Sequence, residues 1–552
     1  MNMTLHCREF SPAWRKLPLE LVKLMPPKII LIHPPIAKCS EPPAGIAKLS
    51  ACLNANSVHH NVIDANLEGI LYLFKDISNN NTITDRWTTR AVKNLKHNLV
   101  ALQDIATYRS LSRYQRAVMD INHLLNVAGK SRRVDLSLAD YRDQCLSPVK
   151  SANLMSAAEK PQANPFYPYF QHRLMNALEE NPDFIGFSLN YLSQALCTFA
   201  MIGFIKQIQP RQKIILGGSL ITTWIKLGAH NDIFKGLVDE MVAGAGEKIL
   251  LELLNVKEGQ INCPPDYNGF PLDQYLSPGP ILPYSSARGC YWHKCAFCPE
   301  KAEGNAYLPL KVSQVTKDLQ ILTRQMNPSL IHILDSSISP SLLGALAQKP
   351  PGAPWYGFTR ITQHLADEDF CLSLKRSGCA MLKLGIESGD QEVLDQLNKG
   401  IDLPTTSAVL KTLKKTGIAA YCYFLFGTPP ETQESAVKTL DFVCRHHDCI
   451  DFLNLAIFNL PSQSIEAQSL ATHDFYEGDL SLYKNFQHPF DWQRPAVRNF
   501  LEKTFKKHPA VALILKRTPK FFTSNHAPFF VCETPILMKL RYYKHSAVIS
   551  VS

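Results

Sequence analysis

The stretch SSARGCYWHKCAFCPE, residues 285–300, places Cys290, Cys295 and Cys298 in a C-x4-C-x2-C pattern. Among fifteen cysteines in 552 residues, this spacing arises by chance roughly one time in a hundred. A disulfide needs two cysteines, and a structural zinc site needs four ligands. Three thiolates also suit an iron–sulfur cluster, and on a four-iron cluster they leave one iron free for another ligand. Zinc with a remote fourth ligand or with His293, and free buried thiols, are the alternatives at this point.

The chain that follows the cysteines alternates between apolar strand-like segments and helical spacing. The strand-like segments are SLIHILDSS, WYGFTRIT, AMLKLGIESG, AAYCYFLFGTP and DFLNLAIFNL. Together with a strand before the cysteine loop they make six βα units. The pattern therefore predicts a partial (β/α)6 barrel.

The chain that precedes the cysteines shows a second alternation of the same kind. KIILIHPP, HHNVIDANLEG, PDFIGFSLNY, KIILGGS and GLVDEMVAGAGEKILLELL contain strands with helical segments between them. This order is typical of a doubly wound, Rossmann-like α/β domain, in which ligands bind at the carboxyl ends of the strands. We expect an α/β protein with two sheets.

Breaks in these patterns divide the chain. The α/β domain covers residues 1–261 and holds a largely helical insertion at about 70–175. A proline-rich linker follows at 262–284, the barrel occupies 285–465, and a weakly patterned region at 466–552 is a candidate for substrate recognition.

The composition, with 45% hydrophobic and 19% charged residues, is ordinary for a soluble globular protein. No run of about eighteen apolar residues occurs, and charged residues interrupt the N-terminal segment, so we expect a cytoplasmic protein. The net charge of +10 is modest for the length, and we do not expect nucleic-acid binding. Residues 85–133 carry ten Lys or Arg against three Asp. This is either a solvated helical face or a docking surface for an acidic or peptide partner.

The cysteine loop resembles that of the radical SAM superfamily, whose usual spacing is C-x3-C-x2-C with an aromatic residue before the last cysteine. Phe297 holds the aromatic place, and the extra residue in YWHK is a departure. The resemblance implies a [4Fe–4S] cluster on Cys290, Cys295 and Cys298, with S-adenosylmethionine (SAM) on the free iron. It further implies SAM contacts from Phe297, Asp335, Arg360, Glu387, Ser388 and Gly427.

The N-terminal domain is similar to the cobalamin-binding domain of one large radical SAM subclass. That domain usually carries D-x-H-x-x-G, then S-x-L, then G-G, where this chain has DANLEG, SLN and Gly217–Gly218. Asn66 replaces the histidine and Asn190 the leucine. The resemblance implies cobalamin contacts from Asp64, Asn66, Gly69, Ser188, Gly217, Gly218, Ser219, Gly244, Gly246 and Glu247. The alternative is that these glycines form ordinary tight turns.

Taken together, these resemblances imply a cobalamin-dependent radical SAM methyltransferase acting on an unactivated carbon through a 5′-deoxyadenosyl radical. A small-molecule or peptide substrate and an electron donor such as flavodoxin or ferredoxin would be its partners. Two alternatives stay open. One is a cobalamin-binding radical SAM enzyme that catalyses cyclisation, ring rearrangement or oxidation. The other is an iron–sulfur and corrinoid protein that acts as a redox sensor or binding partner.

Overall fold

The computed structural model describes residues 28–79, 85–519 and 526–531. Its strands, numbered in chain order, are β1 (Ile29–His33), β2 (His60–Asp64), β3 (Val134–Leu136), β4 (Tyr141–Asp143), β5 (Phe184–Ser188), β6 (Lys213–Gly217), β7 (Glu240–Met241), β8 (Ile281–Tyr284), β9 (Ala287–Arg288), β10 (Leu308–Pro309), β11 (Leu330–Ile333), β12 (Trp355–Thr359), β13 (Cys379–Glu387), β14 (Ala419–Phe426), β15 (Phe452–Ile457), β16 (Leu460–Pro461), β17 (Thr472–Asp474) and β18 (Tyr483–Phe486).

The α-helices connect or flank these strands. They are Ala44–Ala55, Ala65–Asn79, Arg86–Gln103, Leu111–Lys130, Ser151–Glu159, Tyr167–Glu179, Leu192–Ile208, Ser219–Lys226, Gly246–Leu253, Pro299–Ala302, Val312–Met326, Pro340–Gln348, Glu368–Arg376, Gln391–Gln396, Leu403–Thr416, Gln433–Arg445, Ile465–Ser469, Arg494–Phe500, Pro509–Arg517 and Pro528–Val531. None of the helices in the described part of the chain combines the length and apolar character that crossing a membrane requires.

The first sheet is a five-stranded parallel sheet with the order β2-β1-β5-β6-β7. Its strand β1 is wholly buried, because helices cover both faces of a doubly wound sheet. The strand order reverses between β1 and β5, so the crevice at their carboxyl ends is where such sheets bind ligands. This architecture confirms the predicted doubly wound domain.

The second sheet is six-stranded, with the order β15-β14-β13-β12-β11-β8. All its pairs are parallel, and neighbours in the sheet are also consecutive strands of the βα alternation. Repeated βα units that always step in one direction curve a sheet into a partial barrel. The predicted six βα units are therefore present, and their carboxyl ends share one rim.

Two further parts complete the molecule. The insertion in the first domain is mainly helical and also contains a β3–β4 hairpin, which the sequence pattern did not indicate.

After the barrel, β16, β18 and β17 form a small antiparallel sheet. Ala527 and Val531 pack against the first residues of several barrel strands, so this segment covers the amino end of the barrel.

Candidate functional site

The cysteine loop begins at the carboxyl end of β8, the first barrel strand. Cys295 is buried, and Cys290 and Cys298 are partly buried. His293, within the YWHK segment of the loop, adopts a left-handed conformation with φ of 50°. The three cysteines therefore lie at the rim of the barrel, and their role as cluster ligands stays a prediction.

Asp335, which follows β11, fixes the start of this loop. Its carboxylate accepts hydrogen bonds from the backbone N–H of Ser286 at 2.7 Å and of Ala287 at 3.3 Å, and from the Ser286 hydroxyl. Burial raises the pKa of Asp335, whereas these donors favour the charged form. Asp335 thus has structural partners in the loop, and its predicted contact with SAM stays a prediction.

A turn at residues 397–400, here called the anchor turn, holds the middle of the loop. The Leu397 carbonyl accepts from the Ala296 N–H at 2.9 Å, and the Asn398 carbonyl accepts from Trp292 Nε1 at 3.0 Å. A Cβ on Gly400, whose φ is 63°, would lie 2.0 Å from the Trp292 ring. Only glycine fits here without a shift of the indole.

Arg360, after β12, links the anchor turn to the cysteines. Its guanidinium donates to the Lys399 carbonyl and, at 3.4 Å, to the Gly400 carbonyl. It also stacks over the Trp292 ring, with its carbon 4.2 Å from the centroid. Its Nη1 lies 3.8 Å from the sulfur of Cys295. The arginine therefore positions the loop and brings positive charge to a thiol.

The thiols are tuned by two opposing effects. Burial raises the pKa of Cys298 to about 11. Burial also raises the pKa of Cys295, while Lys399 and Arg360 oppose that rise. Iron binds thiolates, so binding a cluster would remove these protons, and nearby cations stabilise the resulting negative charge. The residues present therefore fit a cluster held by three cysteines.

A single metal ion is a separate question. Within the described ranges, no three His, Cys, Asp or Glu side chains converge closely enough to hold one ion. A four-iron cluster spreads its cysteine ligands farther apart than one ion does, so this finding concerns single ions.

The other residues predicted to contact SAM lie around the same barrel rim. Glu387 ends β13 with φ of 71° and pairs with Lys399 at 2.8 Å, where both side chains are largely buried. The Lys399 ammonium also lies 5.4 Å from the centre of the Phe297 ring. Ser388 is buried, and its hydroxyl accepts from the Asp390 N–H at 3.1 Å.

Gly427 follows β14 with φ of 75°. Its N–H donates to Glu431, which also accepts from Trp492 Nε1 at 2.9 Å. Burial raises the pKa of Glu431 to about 7. Sequence reasoning did not single out Glu431, Lys399 or Trp292, although Trp292 belongs to the YWHK segment and Glu431 lies four residues after Gly427.

At the first sheet, most of the residues predicted to contact cobalamin lie at the carboxyl ends of β5, β6 and β7: Ser188, Gly217, Gly218, Ser219, Gly244, Gly246 and Glu247. Gly218 has φ of 109°, and a Cβ there would lie 2.3 Å from the Leu189 carbonyl oxygen. The Ser219 N–H donates to the Asn190 side chain at 3.1 Å. Gly218 thus allows the Leu189 backbone to approach closely, whereas a Cβ on Gly244 would meet no atom within 4 Å.

The DANLEG segment begins at Asp64, the last residue of the edge strand β2, at the same carboxyl edge of the sheet but two strands away from β5. Asp64 accepts from the Tyr275 hydroxyl at 2.5 Å, and Asn66 accepts from the Ala37 N–H at 2.8 Å. Gly69 packs against the Phe166 ring. The two polar side chains hold neighbouring segments together, which short sequence patterns cannot reveal. Their contact with cobalamin stays a prediction.

The two rims meet beside the cysteine loop. Arg288, two residues before Cys290, donates to both carboxylate oxygens of Glu247 at 3.0 and 3.3 Å. Thr223, in the helix after β6, donates to Glu303 at 2.8 Å, and the Lys226 ammonium donates to the Glu303 carbonyl at 2.7 Å. The carboxyl-end rims of both sheets therefore adjoin one another.

Comparison with known proteins agrees with this geometry. Residues 284–443 match the family model described as the Radical SAM superfamily. Over 297 residues the chain is 25% identical to the uncharacterized methyltransferase PH0819 of Pyrococcus horikoshii, a match that covers 48% of this chain and 64% of that relative. It is 24% identical over 245 residues to the bacteriochlorophyllide d C-12(1)-methyltransferase of Chlorobaculum tepidum, covering 42% of this chain and 50% of the relative.

The chain thus spans less than two thirds of either relative. Among solved structures, the radical S-adenosylmethionine methyltransferase TsrM of Kitasatospora setae, with cobalamin and a [4Fe–4S] cluster bound, superposes with a TM-score of 0.51. That match has 15% identity and covers 89% of this chain and 88% of the other. At this identity the likeness concerns the fold.

Proposed function

We propose that this protein, whose residues 284–443 form a radical SAM domain, is a cobalamin-dependent methyltransferase that acts on an unactivated carbon. One observation carries the proposal: the cysteine loop of the barrel abuts the carboxyl-end rim of a doubly wound sheet, through Arg288 and Glu247. An enzyme that combines two cofactors in one reaction needs both of them within reach of one substrate.

The barrel side would hold the cluster on Cys290, Cys295 and Cys298. Arg360 and the anchor turn keep the loop in one conformation, and Arg360 supplies positive charge 3.8 Å from the Cys295 sulfur. For SAM, the proposed contacts are Phe297, Asp335, Arg360, Glu387, Ser388 and Gly427. Gly427 allows the backbone to approach a nucleoside closely.

The first-sheet side would hold cobalamin at the switch point between β1 and β5. The proposed backbone contacts include Gly217, Gly218, Gly244 and Gly246, and a Cβ on Gly244 would meet no atom within 4 Å. Asn66 stands where related domains carry a histidine, so this segment offers no imidazole to the lower face of cobalt. Bound at these rims, the groups supply a 5′-deoxyadenosyl radical that activates a substrate carbon and a methyl group that is transferred to it.

The named relatives support the methyl-transfer branch of the proposal, since both are called methyltransferases. The substrate in this proposal is a small molecule or a peptide. A low-potential donor such as flavodoxin or ferredoxin would supply the electron.

The test is anaerobic reconstitution of the full chain with iron, sulfide, hydroxocobalamin, SAM and a chemical reductant, followed by mass spectrometry of the products. We expect a retained corrinoid and both 5′-deoxyadenosine and S-adenosylhomocysteine. Deoxyadenosine with corrinoid but without S-adenosylhomocysteine would contradict methyl transfer and favour cyclisation, rearrangement or oxidation. A full cluster with neither product would favour the binding-protein alternative.

Two cysteine variants make this test specific. Cys298→Ala removes a proposed cluster ligand, so it should lose the cluster and all deoxyadenosine formation. Cys145→Ala removes an exposed cysteine far along the sequence from the loop, and it should behave as the parent protein. Equal cluster content in the two variants would overturn the assignment of the cysteine loop.

A further inference from the structure

A cavity of about 290 Å³ lies between the barrel rim and the C-terminal region. Gly427 and Ile457, at the ends of two barrel strands, form one wall, and residues from β17, β18 and the helix Arg494–Phe500 form the other. Its volume lies just below the range of about 300–1,000 Å³ that small-molecule sites occupy. The size excludes a folded partner and suits a small organic molecule.

The charge of this cavity has one sign. Lys484, Arg494 and Arg498 line it, and no lining residue of the described chain is acidic. Lys484 is neutralised by Asp474 at 2.6 Å. Neither arginine has an ion-pair partner among the residues that the structure describes. The cavity therefore presents two guanidinium groups without an anion.

Arg494 is held in position although its charge is not paired. Its Nη1 donates to the Phe458 carbonyl at 3.0 Å and to the Asn459 side chain at 2.8 Å. Its Nε is buried and has no hydrogen-bond partner in the described chain. The pKa of Arg494 is lowered mainly by burial, and the positive charge of the neighbouring Arg498 lowers it further. Buried donors are normally satisfied, so this arrangement lacks an acceptor.

The rest of the lining is largely aromatic. Phe458, Phe475 and Phe486 line the cavity together with Trp492. The Arg494 guanidinium lies 4.8 Å from the centre of the Phe475 ring. Aromatic walls beside an arginine suit a flat apolar body with an anionic group at one end.

We propose that this cavity is the substrate site and that it takes a small organic acid with a flat, apolar body, whose carboxylate is bound by Arg494 and Arg498. This proposal rests on the proposed function, because it assigns the substrate class of that enzyme. Gly427 belongs both to this cavity and to the predicted SAM contacts. A ligand here would therefore adjoin the proposed SAM site.

The experiment measures binding rather than turnover. Indole-3-acetate and indole-3-acetamide share a ring and differ in charge, and calorimetry compares their affinities for the anaerobically reconstituted full chain with SAM present. We expect the acid to bind about tenfold more tightly than the amide, as a charge-assisted guanidinium–carboxylate contact provides. Arg498→Gln and Arg494→Gln should each remove most of that preference. Lys503→Gln, a matched loss of charge at an exposed site beyond the cavity, should keep it.

Several results would overturn the proposal. Equal binding of acid and amide, or binding of neither, would exclude an anion site. Competition between SAM and the acid would assign the cavity to the cofactor. Arg498 is exposed, so its variant tests the proposal even if Arg494→Gln fails to fold. A protein that prefers the acid yet forms no deoxyadenosine would keep the acid-binding cavity but refute the proposed function, and with it the role of the cavity as that enzyme's substrate site.

Discussion

The cysteine loop and the C-terminal cavity differ in how their polar groups are satisfied. In the loop, the side chains of Asp335, Arg360 and Trp292 form hydrogen bonds with other groups of the protein. In the cavity, the charges of Arg494 and Arg498 lack an acidic partner in the described chain. Polar groups that are hydrogen-bonded within the protein give a rigid support for a cofactor. Cationic groups without an anionic partner are suited to binding a ligand reversibly. The two regions should therefore respond differently to substitution.

The largest effect should come from Gly400→Ala in the anchor turn. Left-handed backbone costs an alanine about 1 kcal/mol, and overpacking against Trp292 adds roughly 3 kcal/mol. We expect loss of most cluster iron after reconstitution, measured as iron per chain. In a Trp292→Ala background, Gly400→Ala should lower stability only by the cost of the left-handed backbone, because the indole is no longer there to be overpacked. Additive costs in the double-mutant cycle would contradict the contact with the indole.

Glu431→Gln tests the wall behind the cavity, where Glu431 holds Gly427 and Trp492. Burial raises the pKa of Glu431 from 4.5 to about 7, so the folded state prefers the proton and its stability falls as pH rises through this window. The loss amounts to roughly 3 kcal/mol. Glu431→Gln should flatten this dependence of stability on pH. The measurement is the free energy of unfolding by denaturant at several pH values between about 5 and 8. Parallel pH curves for both proteins would refute the raised pKa.

Arg360→Lys keeps the positive charge near Cys295 but removes the planar fork that bridges two carbonyls. We expect a loss of about 2 kcal/mol in stability, with the cluster still bound in part. Arg360→Gln should lose the charge as well and retain less iron. If the Lys and Gln variants retained the same iron, the charge beside Cys295 would have no role in holding the cluster.

Glu247→Gln should have the smallest effect, because Arg288 is 53% exposed and solvent screens the pair. A loss of about 1 kcal/mol or less is expected in the free energy of unfolding. Lys248→Gln, which removes a charge from the exposed pair with Glu252, is the control. An unfolding transition that splits into two steps only in Glu247→Gln would mean that this pair couples the two sheets more strongly than its exposure suggests.

Sequence patterns predicted the regular parts of the molecule well. The strands after the cysteine loop could be predicted because each buried parallel strand is a short apolar run. The cysteines could be singled out because their spacing is rare. The anchor turn was not readable, since Trp292 and Asn398 are 106 positions apart and neither belongs to a periodic pattern. The partners of Asp64 and Asn66 escaped for the same reason. Contacts between distant segments depend on the assembled fold, which local spacing does not encode.

The distance along the chain between the cysteine loop and its anchor also affects how the protein is made. Cys298, the last cysteine of the loop, leaves the ribosome about 100 residues before the anchor turn. At a translation rate of about 5–20 residues per second, this interval lasts several seconds or more. During it the thiols have no folded support. We therefore expect that iron and sulfide are delivered only after residue 400 has emerged, and that a nascent chain stalled earlier carries no stable cluster.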